Sequence, residues 1–257
     1  IEEYIKDESV KGLFCVPKYS NPDGITFSDE VVRRFAALKP AAKDFRVIWD
    51  NAYIVHDLND TPDKLLNIFD EAKKCCSEDM FIEVISTSKI SFAGGGISAV
   101  IASDANIAEI KKRMSIQIIS NDKINQLRHA RYFKNLDGIK AHMKKQAAIL
   151  KPKFDAVTDG FEKAFDGTGI ASWKKPNGGY FISLFVMNGC AKRVGQLCKE
   201  AGLTLTTVGA TYPYGIDPDD SNIRIAPSYP DVDELKKAVE LLCICVKLAA
   251  AEKLTEE

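Results

Sequence analysis

The chain has 257 residues, with 36 acidic and 35 basic side chains, a formal charge of −1, 46% hydrophobic and 28% charged residues. So high an apolar fraction at so low a net charge excludes a disordered chain, and 16 Gly with 10 Pro exclude a collagen-like one. Without a basic surplus, binding of nucleic acid or of an acidic membrane through bulk electrostatics is not expected, and no apolar run approaches the about 18–20 residues that cross a bilayer.

The length suits one large or two modest domains. Seven cysteines stand at 15, 75, 76, 190, 198, 243 and 245, without any CxxC pair. Most lie in apolar contexts and read as reduced, structural thiols of a cytoplasmic protein. The first residues, Ile-Glu-Glu-Tyr-Ile-Lys-Asp-Glu, are too charged for a signal peptide.

Short apolar runs alternate with helical patterns, the signature of an α/β fold. Residues 12–16 read as a buried strand, with Phe14 in the core, ending in the turn Ser20-Asn21-Pro22-Asp23-Gly24. Ser28 caps a helix to residue 38, with Val31, Phe35 and Leu38 at helical spacing and Asp29 and Glu30 in its positive first turn. Residues 45–49 are the next strand, with Trp49 in the core, ending at Asp50-Asn51-Ala52-Tyr53. A helix is predicted over 64–76, a third strand over 80–85, ending at Ser86-Thr87-Ser88-Lys89, and a fourth over 96–102. Polar and reactive residues therefore gather just past the carboxyl ends of three strands, where open α/β sheets bind ligands.

Residues 104–165 are mostly helical, and Pro152 is expected to kink the stretch 142–165. The kink is read as a junction between a larger domain, 1–150, and a smaller α+β domain, 151–257. In the latter, strands are predicted at 170–173, 180–186, 203–207 and 223–226, with helices at 190–201 and 231–252. The last helix carries Leu235, Val239, Leu242, Val246 and Ala249 on one stripe.

Each polar cluster alone has an ordinary reading: Asn21-Pro22-Asp23-Gly24 as a turn, Ser86-x-Ser88-Lys89 as a solvated loop, Arg224 as a surface charge. Their order is more specific. Asn21-Pro22-x-Gly24, Asp50-x-x-Tyr53, Ser86-x-Ser88-Lys89, Pro176-x-Gly178-Gly179-Tyr180 and Asn222-x-Arg224 together resemble the pyridoxal-phosphate enzymes of the aspartate aminotransferase superfamily, fold type I. Separations of 29 residues from Asn21 to Asp50 and 36 from Tyr53 to Lys89 suit one βα unit between strand ends. Trp49-Asp50-Asn51-Ala52-Tyr53 and Asn125-Gln126-Leu127-Arg128-His129 look like its bacterial aspartate aminotransferase branch. The resemblance covers essentially the whole chain.

The resemblance implies a large domain built on a mostly parallel sheet with flanking helices, a smaller C-terminal domain, and pyridoxal 5'-phosphate as cofactor. Lys89 would form the Schiff base with the cofactor aldehyde and then serve as base, which requires its amine to titrate below the usual value of about 10.4. Asp50 would hold the proton on the pyridine nitrogen, keeping the ring an electron sink. Tyr53 and Asn21 would hydrogen-bond the phenolic oxygen, and Ser86 and Ser88 would hold the phosphate. Arg224, with Asn21, would grip the substrate α-carboxylate through parallel hydrogen bonds that a lysine cannot make. A cis Asn21–Pro22 bond and a homodimer are also implied. The implied reaction is ping-pong transamination, with aspartate and 2-oxoglutarate as the pair. A lyase or decarboxylase of the same fold would use the same cofactor residues, and a cofactor-sensing domain of a transcription regulator is the alternative outside catalysis.

Two departures stand out. Relatives carry an Arg about seven residues after the lysine, where this chain has Phe92-Ala93-Gly94-Gly95-Gly96-Ile97. Gly96 stands near that place, so the glycine run is expected either to offer backbone N–H groups to the phosphate or to pack against a neighbouring subunit. The chain also begins at Ile1 and resembles only the C-terminal two thirds of the family; a truncated piece holding cofactor weakly is expected.

Among the other candidates, His56 reads as a structural or surface histidine that could line the site. His129, with Arg128 and Arg131, reads as a basic patch for a dicarboxylate or as a solvated or dimer-contacting face. His142 shows no ligand spacing, and Asp217-Pro218-Asp219-Asp220 is an acidic turn without a calcium-binding pattern.

Overall fold

A computed structural model describes residues 1–91 and 93–256; Phe92 lies outside the described residues. The chain forms two compact units. The first comprises Ile1–Lys18, Ile25–Val55 and Asp63–Met143; the second takes Tyr19–Gly24, His56–Pro62 and the chain from Lys144 onward.

The first unit is α/β. Its sheet has the order β1 (Gly12–Cys15), β2 (Arg46–Asp50), β3 (Phe81–Ser86), β4 (Ser98–Ala102). The first three strands run parallel and β4 is antiparallel to β3. Helices α1 (Asp29–Ala36) and α2 (Ile68–Cys75) pack on one another and share a core with Val47, Trp49 and Phe81. Trp49 meets Phe35 and Phe81 edge-on, with ring centroids 5.5 and 6.2 Å apart. Ser28 Oγ accepts the Val31 N–H at 3.3 Å and starts α1 where the sequence places it. The helix predicted from 64 begins only at Ile68, because Asn67 Oδ1 accepts the Phe69 N–H at 2.9 Å and caps it there. Phe14 departs from expectation. It is 62% exposed, since Leu13 and Cys15 take the core-facing side of β1 and alternation turns Phe14 away.

The helical stretch after residue 104 breaks into α3 (Asp104–Gln117), α4 (Lys123–Phe133) and α5 (Leu136–Phe165). Asp122 caps α4 by accepting the Asn125 N–H, and Lys134 closes it with φ 64°. Helix α5 runs through Pro152 without ending.

The second unit holds an antiparallel sheet in the order β5 (Ala171–Trp173), β6 (Ile182–Val186), β7 (Asn222–Ile225), with α6 (Ala191–Glu200) and α7 (Val232–Glu256). Phe161, Phe165, Ile182, Leu184, Ile223 and Val246 form its core. The strand expected over 203–207 is absent: Leu203 and Leu205 pack half-buried on the core, but this segment joins no ladder. All seven cysteines are unbridged, four of them buried. No helix among the described residues is long and apolar enough to cross a membrane.

Candidate active site

In the first unit the candidate residues leave the carboxyl ends of neighbouring parallel strands. Asp50 ends β2, paired with Val84 of β3, and the Asn51 N–H continues the ladder to the Val84 carbonyl at 2.9 Å. Asp50 Oδ1 then accepts the Ala52 N–H at 3.0 Å, an Asx turn that sends the chain round to Tyr53. Behind it, Asn51 Nδ2 donates to Glu83 Oε1 at 2.7 Å, and burial pushes the Glu83 carboxyl above its ordinary value against that hydrogen bond.

Strand β3 ends at Ser86. The Ser88 N–H donates to Ser86 Oγ at 3.1 Å, and the two hydroxyls lie 2.9 Å apart. The following turn is closed by the Ile90 and Ser91 N–H groups on the Thr87 carbonyl, at 2.9 and 2.8 Å. Lys89 projects from this turn, exposed, with Nζ 5.0 Å from the centre of the buried Tyr53 ring. The structure therefore gathers Asp50, Tyr53, Ser86, Ser88 and Lys89 in one unit.

Gly96 explains part of the missing arginine. A Cβ there would lie 2.4 Å from Ser88 Oγ and 2.8 Å from Ser88 N and Cα, so no side chain fits. The two carbonyls of Gly95 and Gly96 accept from Asn125 Nδ2, at 2.9 and 3.3 Å. Gly96 thus packs on Ser88 of its own unit, whereas a Cβ on Gly94 would meet nothing within 4 Å.

Asn21 and Arg224 belong to the second unit. Arg224 lies in β7, opposite Ser183 of β6, and its Nη1 donates to Asn21 Oδ1 at 3.2 Å. Its guanidinium carbon lies 4.8 Å from the Phe181 ring centre, and its Nε is buried with no hydrogen-bond partner among the described residues. The Asn21–Pro22 bond is cis. The glycine motif at 176–180 serves close packing: a Cβ on Gly178 would sit 2.3 Å from the Tyr19 ring and 2.5 Å from the His56 carbonyl. His56 is 3% exposed and meets the Tyr180 ring at 5.3 Å. Burial raises the Tyr180 phenol above its ordinary value.

The acidic turn is a brace for β7. Asp217 accepts the N–H groups of Ser221 and Asn222 at 2.8 Å and of Asp219 at 3.1 Å. Burial opposes its charge, yet these backbone donors outweigh it and hold the carboxyl below its ordinary value.

His129 does not share the exposed face of α4 with its two arginines. It is 5% exposed and bonded to the turn that carries Lys89, whereas Arg128 and Arg131 are exposed. His142 was passed over by spacing, because its partner is a backbone carbonyl, that of Ile90.

The family model described as aspartate amino-transferase matches residues 1–257. An aspartate aminotransferase of Corynebacterium glutamicum is 44% identical over 252 residues, covering 98% of this chain and 58% of that protein. A putative aminotransferase of Mycolicibacterium smegmatis is 43% identical, covering 99% and 60%. The crystal structure of an aspartate transaminase from Corynebacterium glutamicum superposes with a TM-score of 0.96 over 98% of this chain and 59% of that one, at 44% identity. This chain thus spans less than two thirds of these relatives' length. A match along every residue, over a fold with the strand ends found here, means that the chain belongs to the aspartate aminotransferase family.

Proposed function

We propose that this chain carries the lysine, the cofactor-binding groups and the substrate-carboxylate arginine of a pyridoxal-5'-phosphate-dependent transaminase acting on aspartate and 2-oxoglutarate. One observation carries the reading. Asp50 and the Ser86-x-Ser88-Lys89 run leave adjacent parallel strands, with Lys89 Nζ 5.0 Å from the Tyr53 ring centre. The 44% identity to a named aspartate aminotransferase supports aspartate as the amino donor.

The donor set fits the cofactor. Within the first unit, Asp50 offers a carboxylate that would keep a pyridine nitrogen protonated, Tyr53 a hydroxyl for a phenolic oxygen, and the Ser86 and Ser88 hydroxyls suit a phosphate. The lack of a Cβ at Gly96 leaves Ser88 in place for that task. When bound, pyridoxal phosphate supplies the sink for the electrons left on the substrate Cα as its proton departs. Lys89 would hold the cofactor through its amine and would be the group placed to move the proton at the substrate Cα. Arg224, steadied by Asn21 and by the Phe181 ring, grips the α-carboxylate and orients the Cα–H bond. A homodimer belongs to the same proposal, and sedimentation tests it.

The decisive experiment is an amino-acid and oxo-acid panel assayed with the full-length protein, since the 257-residue piece alone is expected to be inactive. Amino transfer from aspartate to 2-oxoglutarate, abolished in Lys89→Ala, is the expected result. Release of ammonia and pyruvate without amino transfer would replace the transaminase by a lyase.

A further inference from the structure

We infer that His129 and His142 are positioning residues for Lys89, clamping the turn 87–91 from two helices through opposite, fixed tautomers. The inference deepens the proposed function and rests on Lys89 being the reactive amine.

The partners fix the tautomers. His129 Nδ1 lies 2.9 Å from the Asn125 carbonyl. A carbonyl only accepts, so Nδ1 carries the hydrogen and Nε2 of the neutral ring is the acceptor. Nε2 faces the Thr87 hydroxyl at 3.1 Å and the Ser91 hydroxyl at 2.8 Å, the latter donating its own proton to the Thr87 carbonyl at 3.0 Å. The Thr87 Oγ1 lone pair is already engaged by the Ile97 N–H at 2.9 Å, which leaves its proton for the ring. For His142 the assignment reverses. Nε2 lies 2.8 Å from the Ile90 carbonyl and must be the donor, with Nδ1 facing the Tyr132 hydroxyl at 3.4 Å.

The two rings thus hold the residues on both sides of Lys89. His129 of α4 takes Thr87 and Ser91; His142 of α5 takes Ile90. Phe133 stands between the rings, 6.0 Å from His129 and 5.4 Å from His142, and keeps this side apolar. Both strands flanking the turn are also tied, through the Thr87 N–H on the Ile97 carbonyl at 2.8 Å. With Thr87, Ile90 and Ser91 each held by one of the two rings, the turn that carries Lys89 is braced on both sides of the lysine. An amine that must reach one aldehyde carbon gains from that restriction.

Side-chain geometry supplies the test. Gln places a polar group where Nε2 stands, and Asn places one where Nδ1 stands. Pyridoxal phosphate added to the protein is trapped on Lys89 with borohydride, and the labelled peptide is quantified with time. His129→Asn and His142→Asn are expected to slow trapping about tenfold, since a displacement of an ångström costs on this order or more. His129→Gln and His142→Gln are expected to retain most of the rate, while thermal stability falls comparably in all four variants. Trapping equal in Asn and Gln variants, or trapping that follows melting temperature alone, overturns the clamp. Ring-nitrogen NMR gives a second readout: His129 protonated on Nδ1 and His142 on Nε2, with the reverse pattern also overturning it. If the full-length wild-type protein traps no cofactor at Lys89, the transaminase reading fails separately. Amide exchange at Lys89 and Ile90 then decides the clamp: faster in the Asn variants supports it, unchanged refutes it.

Discussion

Arg224 shows how one residue type is chosen by geometry. Its Nη1 is used by Asn21, its face by Phe181, and its Nε is left without a partner, so the guanidinium is held flat with donor capacity in reserve. Lysine offers a point charge with no fork and no flat face. Arg224→Lys is expected to lose about 1.5–3 kcal/mol of carboxylate binding, or about 10- to 100-fold in kcat/KM for the amino acid, as charge-assisted hydrogen bonds are worth. Steady-state kinetics check this, and an unchanged KM and kcat/KM would remove Arg224 from the substrate site. Glu83 makes the complementary case, a carboxyl that the fold would rather keep protonated. Its folded pKa lies above the unfolded 4.5, because burial outweighs the hydrogen bond from Asn51. The native state therefore binds the proton more tightly, so this contribution to stability is full below 4.5 and is lost as pH rises through the folded value. Gln keeps an acceptor for Asn51 Nδ2 without the charge. Glu83→Gln should melt higher than the wild type at neutral pH and show a flatter pH dependence above 4.5; a lower melting temperature at neutral pH would refute the account.

Strand β7 depends on a loop side chain rather than on its own ladder alone. Asp217 collects the N–H groups of Ser221 and Asn222, both residues buried, at the point where the chain enters the strand that bears Arg224. Asp217→Ala would strand both donors, at a cost of about 2–3 kcal/mol. Because the Asp217 pKa is depressed below 3.8, its contribution is present above that value and is lost as pH falls through the folded value. Denaturant unfolding across acid pH checks both points, since the variant should lose the wild type's acid limb along with its stability. This role was half legible. The sequence pattern marks residues 217–220 as a turn, but which N–H groups its carboxylate serves depends on where β7 begins. The same limit explains the other elements. The ends of β2 and β3 were readable because apolar runs stop abruptly at Asp50 and Ser86. The apolar alternation of 203–207 is satisfied by packing on the core without a strand partner, which periodicity cannot distinguish from a ladder. The 3.6-residue period of α4 shows that His129 lies on some face, not that the Lys89 turn lies against it.

At the scale of the whole chain, each unit buries its own core, and the sheet of the first unit has two edges, β1 and β4. An apolar run in a sequence reads as buried, yet the β4 residues Ser98, Ala99, Val100 and Ile101 are all exposed. Successive side chains point to opposite faces, so neither face of β4 is well covered among the described residues. Val100 is 40% and Ile101 44% exposed, and Phe14 on the far edge is 62% exposed. An edge strand presents a row of unpaired N–H and C=O groups, and apolar side chains beside it favour pairing with another chain. Proteins commonly block such pairing with edge charges, and β4 has none. The 257-residue chain is therefore expected to associate with rising concentration. Val100→Lys and Ile101→Lys together place a charge on each face of β4 and should suppress that association. Light scattering across a concentration series, with far-UV circular dichroism to confirm an unchanged fold, checks this. Equal association in the wild type and the double variant would show that the β4 edge does not drive it, and Phe14→Ser would then test the β1 edge in the same assay.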